Sequence, residues 1–271
     1  MIKSCITSNN GEMTHLLCCH TLRQDHFQFA IERGYLTTEF SLYPPKDVTG
    51  ISRERVNLVY TFYGLPLYKY KHNKNNTNRL EKAHFTPVGI LLNAAAIHKA
   101  IRFIPFDSGA FFDGLYDDHC LVDSKDEIKN FEVDFISPHN QEVCQAVDRY
   151  FTTNSNYLEG KVDFFDDPFT KEEDMLVSLY NDRGISEVDR RAKAFEVHFE
   201  TTLSFKDDVE AVIIHRGVKE RVMPNIEAEI KNLNSKIEVL TYSGSAASIS
   251  EYVSRMIHVA DEHQRKNFLK H

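Results

Sequence analysis

Tryptophan is absent from the 271 residues. No stretch approaches the roughly 18 consecutive apolar residues that a membrane helix requires, so no membrane association is expected. Met1 to Asn10 has neither the basic start nor the apolar core of a secretory signal. The expected compartment is therefore the cytoplasm. The five cysteines, Cys5, Cys18, Cys19, Cys120 and Cys144, are odd in number and scattered, which argues against a disulfide framework. No C-x-x-C and no Cys/His spacing of the zinc type occurs, so no metal site is expected. The phosphate-binding patterns G-x-G-x-x-G and G-x-x-x-x-G-K-[ST] are both missing, which removes support for Rossmann and P-loop nucleotide binding. Neither G-x-S-x-G, H-E-x-x-H nor a protein-kinase set is present. Any chemistry must come from a less regular constellation.

What the chain does contain is a core. Hydrophobic residues make up 42% of it, with 19 Phe and 12 Tyr, ordinary for a globular protein. The formal net charge of −8 excludes nucleic-acid binding by bulk charge. One local exception is the run Lys69-Tyr-Lys71-His-Asn-Lys74 with Arg79 and Lys82.

Hydrophobic periodicity and turn residues predict the elements. Met13 to Cys19 reads as a buried strand ending at His20-Thr21, followed by a helix over Leu22 to Arg33 that Gly34 terminates. Tyr43 to Arg55, with Pro44-Pro45 and Gly50, reads as a loop. Val56 to Tyr63 reads as a strand, and Lys69 to Lys82 as a polar mobile segment. Strands are expected at Pro87–Leu92, Ile101–Pro105, Ala192–Phe199, Val209–Ile214 and Ile237–Tyr242. Helices are expected at Glu142–Phe151, Lys171–Tyr180, Lys219–Leu233 and Ile249–Asn267. Short strands separated by irregular segments, with no repeat and no obvious linker, predict one α+β domain over 1–271: a mixed β-sheet core with surrounding helices.

Four features carry candidate chemistry, each with a plain structural alternative. His20, at a strand end, either satisfies the fold or presents its ring to a cleft. The strand Val59-Tyr-Thr-Phe-Tyr-Gly-Leu-Pro-Leu-Tyr68 offers Tyr60, Tyr63 or Tyr68 to stack a planar ring, or else packs a strand end. Asp107 and Ser108, inside the apolar run Ile104 to Phe112, either cap a turn or line a pocket. In Asp189-Arg-Arg-Ala-Lys-Ala-Phe-Glu-Val-His-Phe199, Phe195, Val197 and Phe199 share one strand face and Glu196 lies on the other with Ala194 and His198.

Taken in order, these pieces resemble a known pattern. The unit Leu16-Leu-Cys-Cys-His-Thr21, a helix and Glu32-Arg-Gly-Tyr-Leu36 resembles the opening of the diphtheria-toxin-like ADP-ribosyltransferases. The closing unit from Arg190-Arg191 to Glu196-Val-His198, then Val209-Glu-Ala-Val-Ile-Ile214, resembles the DarT-like branch, which modifies nucleic acid. Tyr63-Gly-Leu-Pro-Leu-Tyr68 lies where the family's tyrosine-bearing strand belongs.

The resemblance implies an ADP-ribosyltransferase-like fold, NAD as substrate and Glu196 as the catalytic carboxylate. It implies NAD contacts from His20, Thr21, Tyr63 and Tyr68, with Asp107 and Ser108 in the pocket wall. It also implies a nucleic-acid acceptor, RNA or DNA, engaged by Lys69, Lys71 and Lys74. The context implied is a bacterial toxin–antitoxin or antiviral-defence system with a neutralising antitoxin protein, in some systems joined by a chaperone. Two other functions stand beside it. One is a non-catalytic nucleotide-sensing module. The other is a metal-dependent nuclease drawing on Asp113, Asp117, Asp118, Asp163, Asp166 and Asp167.

Overall fold

The computed structural model describes residues 15–37, 58–67, 87–112, 114, 116–117, 125–137, 140–163, 170–181, 190–244 and 249–268. The strands are β1 (Cys18–Arg23), β2 (Tyr35–Leu36), β3 (Val59–Tyr63), β4 (Pro87–Leu92), β5 (Ala100–Ile104), β6 (Val133–Asp134), β7 (Glu196–Phe199), β8 (Leu203–Ser204), β9 (Val209–His215) and β10 (Glu238–Tyr242). The α-helices are α1 (Gln24–Arg33), α2 (Ser108–Phe112), α3 (Glu142–Phe151), α4 (Asn154–Glu159), α5 (Lys171–Asn181), α6 (Arg216–Arg221), α7 (Ile226–Leu233) and α8 (Ile249–Phe268).

Eight strands form one sheet in the order β10-β9-β4-β1-β3-β7-β5-β6, and β2 pairs separately with β8. Every pairing is antiparallel except β9 with β10, which α6 and α7 connect as a parallel crossover. The chain is thus an α+β protein built on a mixed sheet with helices around it.

Partners in an antiparallel register point to the same face, so the pairings sort the side chains. Cys18, Tyr63, Thr61, Val197, Phe103 and Val59 share one face. That face continues into one large buried cluster with Phe195, Phe199 and residues of α1, α3, α4, α5 and α7. The opposite face has two halves. Over β1, β4 and β9 it is apolar: Cys19, Leu91, Ala211 and Ile213 pack against Met256 and Ala260 of α8. Over β3, β7 and β5 it carries Tyr60, Phe62, Glu196, His198, Arg102 and Ile104.

The boundary between these halves is fixed by a buried glutamine. Gln264 of α8 accepts the Leu17 N–H at 2.9 Å through Oε1 and donates through Nε2 to the Gly64 carbonyl. Gly64, at φ 74°, lies where an added Cβ would come within 2.9 Å of Leu16 and 3.0 Å of Leu158. Only glycine fits that turn.

Several expectations shift. The segment before Glu196 is not strand: Arg190–Lys193 is a 3₁₀ turn and β7 begins at Glu196. The helix expected over Lys219–Leu233 is broken into α6 and α7, because Pro224 cannot continue it. The first helix begins at Gln24, since Leu22 and Arg23 still pair with β4. Its end at Gly34 is as expected, with φ 76° and the Gly34 N–H donating to the Ala30 and Ile31 carbonyls. Cys18 and Cys19 are buried free thiols, whereas Cys144 is disulfide-bonded. The expected loop at Tyr43–Arg55 and mobile segment at Lys69–Lys82 lie outside the described residues. Among the described residues no helix is long and apolar enough to cross a membrane.

Candidate active site

Glu196 opens β7 between β3 and β5, paired with Phe62 on one side and Ile104 on the other. Its side chain therefore projects from the middle of the sheet onto the polar half-face. It is 3% exposed. A carboxylate taken out of water persists only if its oxygens are bonded. Ser108 Oγ donates to Glu196 Oε1 at 2.6 Å and His198 Nε2 meets the same oxygen at 2.7 Å. Ser108 N donates to Oε2 at 3.2 Å.

His198 lies two residues on and so on the same face. It is wholly buried. Arg102 Nε donates to His198 Nδ1 at 3.2 Å, and Arg102 Nη1 lies 3.4 Å from Glu132 Oε2. The Tyr60 ring stands edge-on to the His198 ring, with centroids 5.0 Å apart. His20 Nδ1 lies 2.7 Å from the Tyr60 carbonyl oxygen. A carbonyl only accepts, so Nδ1 carries the proton and the neutral His20 ring presents Nε2 as an acceptor. Burial pushes the His20 pKa below the ordinary histidine value, opposed by that hydrogen bond. Contacts thus run from the Tyr60 ring through His198 to Glu196 and Ser108, whereas His20, paired with Ile90, has the register of the Cys18 and Tyr63 face and meets Tyr60 only at its backbone carbonyl.

The remaining expected residues divide. Asp107 caps α2: its Oδ1 accepts the Gly109 and Ala110 N–H groups at 2.7 and 3.1 Å. Its Oδ2 accepts from Arg191 Nη1 at 3.1 Å, both side chains being 3% exposed. The turn-capping alternative therefore holds for Asp107, whereas its neighbour Ser108 reaches Glu196. Thr21 is half-buried and its Oγ1 donates to the Leu67 carbonyl.

Tyr63 differs from expectation. It is 0% exposed, its hydroxyl accepts the Leu16 N–H at 3.0 Å, and its ring packs on His15 and Tyr157. Its register places it on the apolar face, opposite Glu196. It is a packing residue here, with no ring face for a ligand, and Tyr60 is the β3 tyrosine on the Glu196 face. Tyr68, Lys69, Lys71 and Lys74 lie outside the described residues, as do Asp113, Asp118, Asp166 and Asp167. Of the remaining aspartates, Asp163 Oδ2 accepts from Thr152 Oγ1 at 3.0 Å. Among the described residues no group of three or more His, Cys, Asp or Glu is placed to hold a metal ion.

His198, Arg102 and Glu132 were not singled out from the sequence. The Glu196-x-His198 spacing on one strand face was a readable signal for the first. Arg102 and Glu132 come to the site through the β5–β7 pairing, which no local pattern announces.

Neither a protein-family model nor a curated protein matches the sequence. Among solved structures, the chain is similar to Thermus sp. 2.9 DarT in complex with carba-NAD+, with 10% identity, a TM-score of 0.40, and 83% of this chain and 94% of that one covered. It is similar to the same protein in complex with NAD+ (10% identity, TM-score 0.38, 82% and 94% covered). It is also similar to the complex with ADP-ribosylated ssDNA (11% identity, TM-score 0.38, 84% and 97% covered).

Proposed function

We propose that the chain is an NAD-dependent ADP-ribosyltransferase with Glu196 as its catalytic carboxylate and single-stranded nucleic acid as acceptor. The observation that supports it best is the buried Glu196 carboxylate on the polar half-face, bonded by Ser108 and His198, with the Tyr60 ring alongside. The order of sequence units at both ends of the chain supports the choice of substrate.

The reaction breaks the bond between C1′ of the ribose and the nicotinamide nitrogen. The bonding pair stays on nitrogen, neutralising the pyridinium, and the ribose becomes oxocarbenium-like, as in glycoside cleavage. A fixed carboxylate favours that positive charge because it is oriented before the charge develops. The acceptor then attacks C1′, and its proton passes to Glu196. His20 Nε2 is an acceptor suited to a ribose hydroxyl or the carboxamide NH₂. Tyr60 offers a ring edge and face beside the reacting atoms. Draining NAD or modifying nucleic acid harms a host, so the cellular role proposed is a toxin or antiviral-defence enzyme held in check by an antitoxin protein.

One observation favours a second reading. Ser108 donates both N and Oγ to Glu196, so the carboxylate also ties α2 to β7, which is reason enough to bury it. Glu196→Gln separates the two. Glutamine keeps an acceptor oxygen but loses the charge. The transferase reading expects nicotinamide release to fall about 10²-fold or more, with a stability loss of only about 1–3 kcal/mol. Radiolabelled NAD with single-stranded DNA, RNA or total protein reports release and transfer. A Gln variant that releases nicotinamide at the parent rate would return Glu196 to its anchoring role.

A further inference from the structure

His198 sits between a cation and an anion, and its two ring nitrogens are committed differently. Arginine cannot accept a hydrogen bond, and Arg102 Nε approaches His198 Nδ1 at 3.2 Å. Nδ1 must therefore hold its lone pair. The ring proton is on Nε2, 2.7 Å from Glu196 Oε1.

A histidine beside a carboxylate ordinarily tends to protonate. Here protonation would set an Nδ1–H against the Arg102 Nε–H. Glu132, 3.4 Å behind Arg102, fixes the guanidinium in that direction. Among the described residues, the groups that face the His198 ring include Tyr60 from β3, Arg102 from β5 and Glu196 from β7 itself.

We infer that His198 is a positioning residue, locked by Arg102 and Glu132 as its neutral Nε2–H tautomer so that it orients the Glu196 carboxylate without neutralising it. The inference rests on the proposed role of Glu196 for its catalytic meaning, but its geometry stands apart from that role. An imidazolium at the same place would form an ion pair with Glu196. That would blunt the field the carboxylate applies to a developing oxocarbenium ion and weaken it as a proton acceptor. A neutral donor holds the oxygen and leaves the charge in place.

The test has two arms. In the first, ¹⁵N-histidine NMR of the full chain, assigned with His198→Gln, reads the tautomer at pH about 7. The expected result is a protonated Nε2 and a pyridine-like Nδ1. An Nδ1–H tautomer or an imidazolium in the parent protein overturns the inference, whatever the activity. The second arm is Arg102→Met, which removes the lock. Its nicotinamide release should fall about tenfold at pH about 6 and recover toward the parent at pH about 8 as His198 loses its proton. His198→Gln, which keeps an N–H donor, should lose less activity than His198→Ala. A pH profile for Arg102→Met that parallels the parent's overturns the lock. If NMR shows the Nε2–H tautomer while Glu196→Gln remains active, the transferase reading fails and the hydrogen-bonded arrangement survives.

Discussion

Two histidines on the first strand–helix unit lie below the ordinary histidine pKa for the same main cause. His20 is lowered by burial, opposed by its bond to Tyr60, and His26 by burial, opposed by Asp25. When the folded pKa is depressed, the unfolded chain binds more protons near pH 6. The stabilisation is then full above the unfolded value of about 6.5 and is lost as pH falls through the folded one. Stability to denaturant should therefore begin to drop as pH falls through about 6.5. His20→Gln keeps a donor for the Tyr60 carbonyl and removes the titration, so it should shrink that drop. An equal drop in parent and variant would show that His20 protonates as readily folded as unfolded. A second loss should follow at lower pH. Glu173, lowered by its bond to Arg149, and Glu142, raised by burial but brought below the ordinary value by the sum of its hydrogen bonds, those from Ser137 and Ile136 among them, are then protonated as pH falls through their folded values.

Among the elements, α8 decides where the polar half-face begins. Gly89 of β4 lets the helix approach closely: a Cβ there would lie 3.0 Å from Met256 Sδ. Gln264 bonds the strand ends at Leu17 and Gly64. Gln264→Leu fills the same space but leaves a buried N–H and a buried C=O without this partner. The expected cost is about 2–4 kcal/mol, read by equilibrium denaturation, with faster amide exchange at Leu17. A loss under about 0.5 kcal/mol would mean that the residue packs rather than bonds.

The elements also show what local pattern can reveal. α3, β4 and α8 were legible because strong periodicity and flanking turn residues agree over a whole segment. The two faces of β7 were legible because strand alternation is rigid. The start of β7 was not, since Ala192 and Ala194 fit a turn as well as a strand. The break at Pro224 was readable and was outweighed by the apolar spacing on either side. The role of Tyr63 was hidden because period-2 alternation says which residues share a face, never which face meets the site. Ser108, one of the two partners of Glu196, comes from 88 positions earlier in the chain, a distance at which no local pattern speaks.

For the molecule as a whole, charge sets a condition on the acceptor. A net charge of −8 repels a polyphosphate chain at long range, so a nucleic-acid acceptor must be caught by a local concentration of cations. The stretch from Tyr68 to Lys82 has that composition: Lys69, Lys71, Lys74, Arg79 and Lys82 alternate with Tyr68, Tyr70 and His72. Lysines track phosphates while aromatic rings stack on unpaired bases. In sequence the stretch follows directly on β3, the strand that brings Tyr60 to the Glu196 face. Each phosphate contact to a single strand contributes about 0.7 to the slope of log affinity against log salt. Replacing Lys69, Lys71 and Lys74 together by Gln should therefore flatten that slope by about 2, if each holds one phosphate. Acceptor binding should weaken, while nicotinamide release without acceptor stays near the parent rate. The measurement is binding of labelled single-stranded DNA and RNA across a salt series, paired with a nicotinamide assay. An unchanged slope would place the acceptor surface elsewhere on the chain. If label from NAD appears on protein alone, the acceptor is not nucleic acid, and the basic stretch serves solubility rather than recognition.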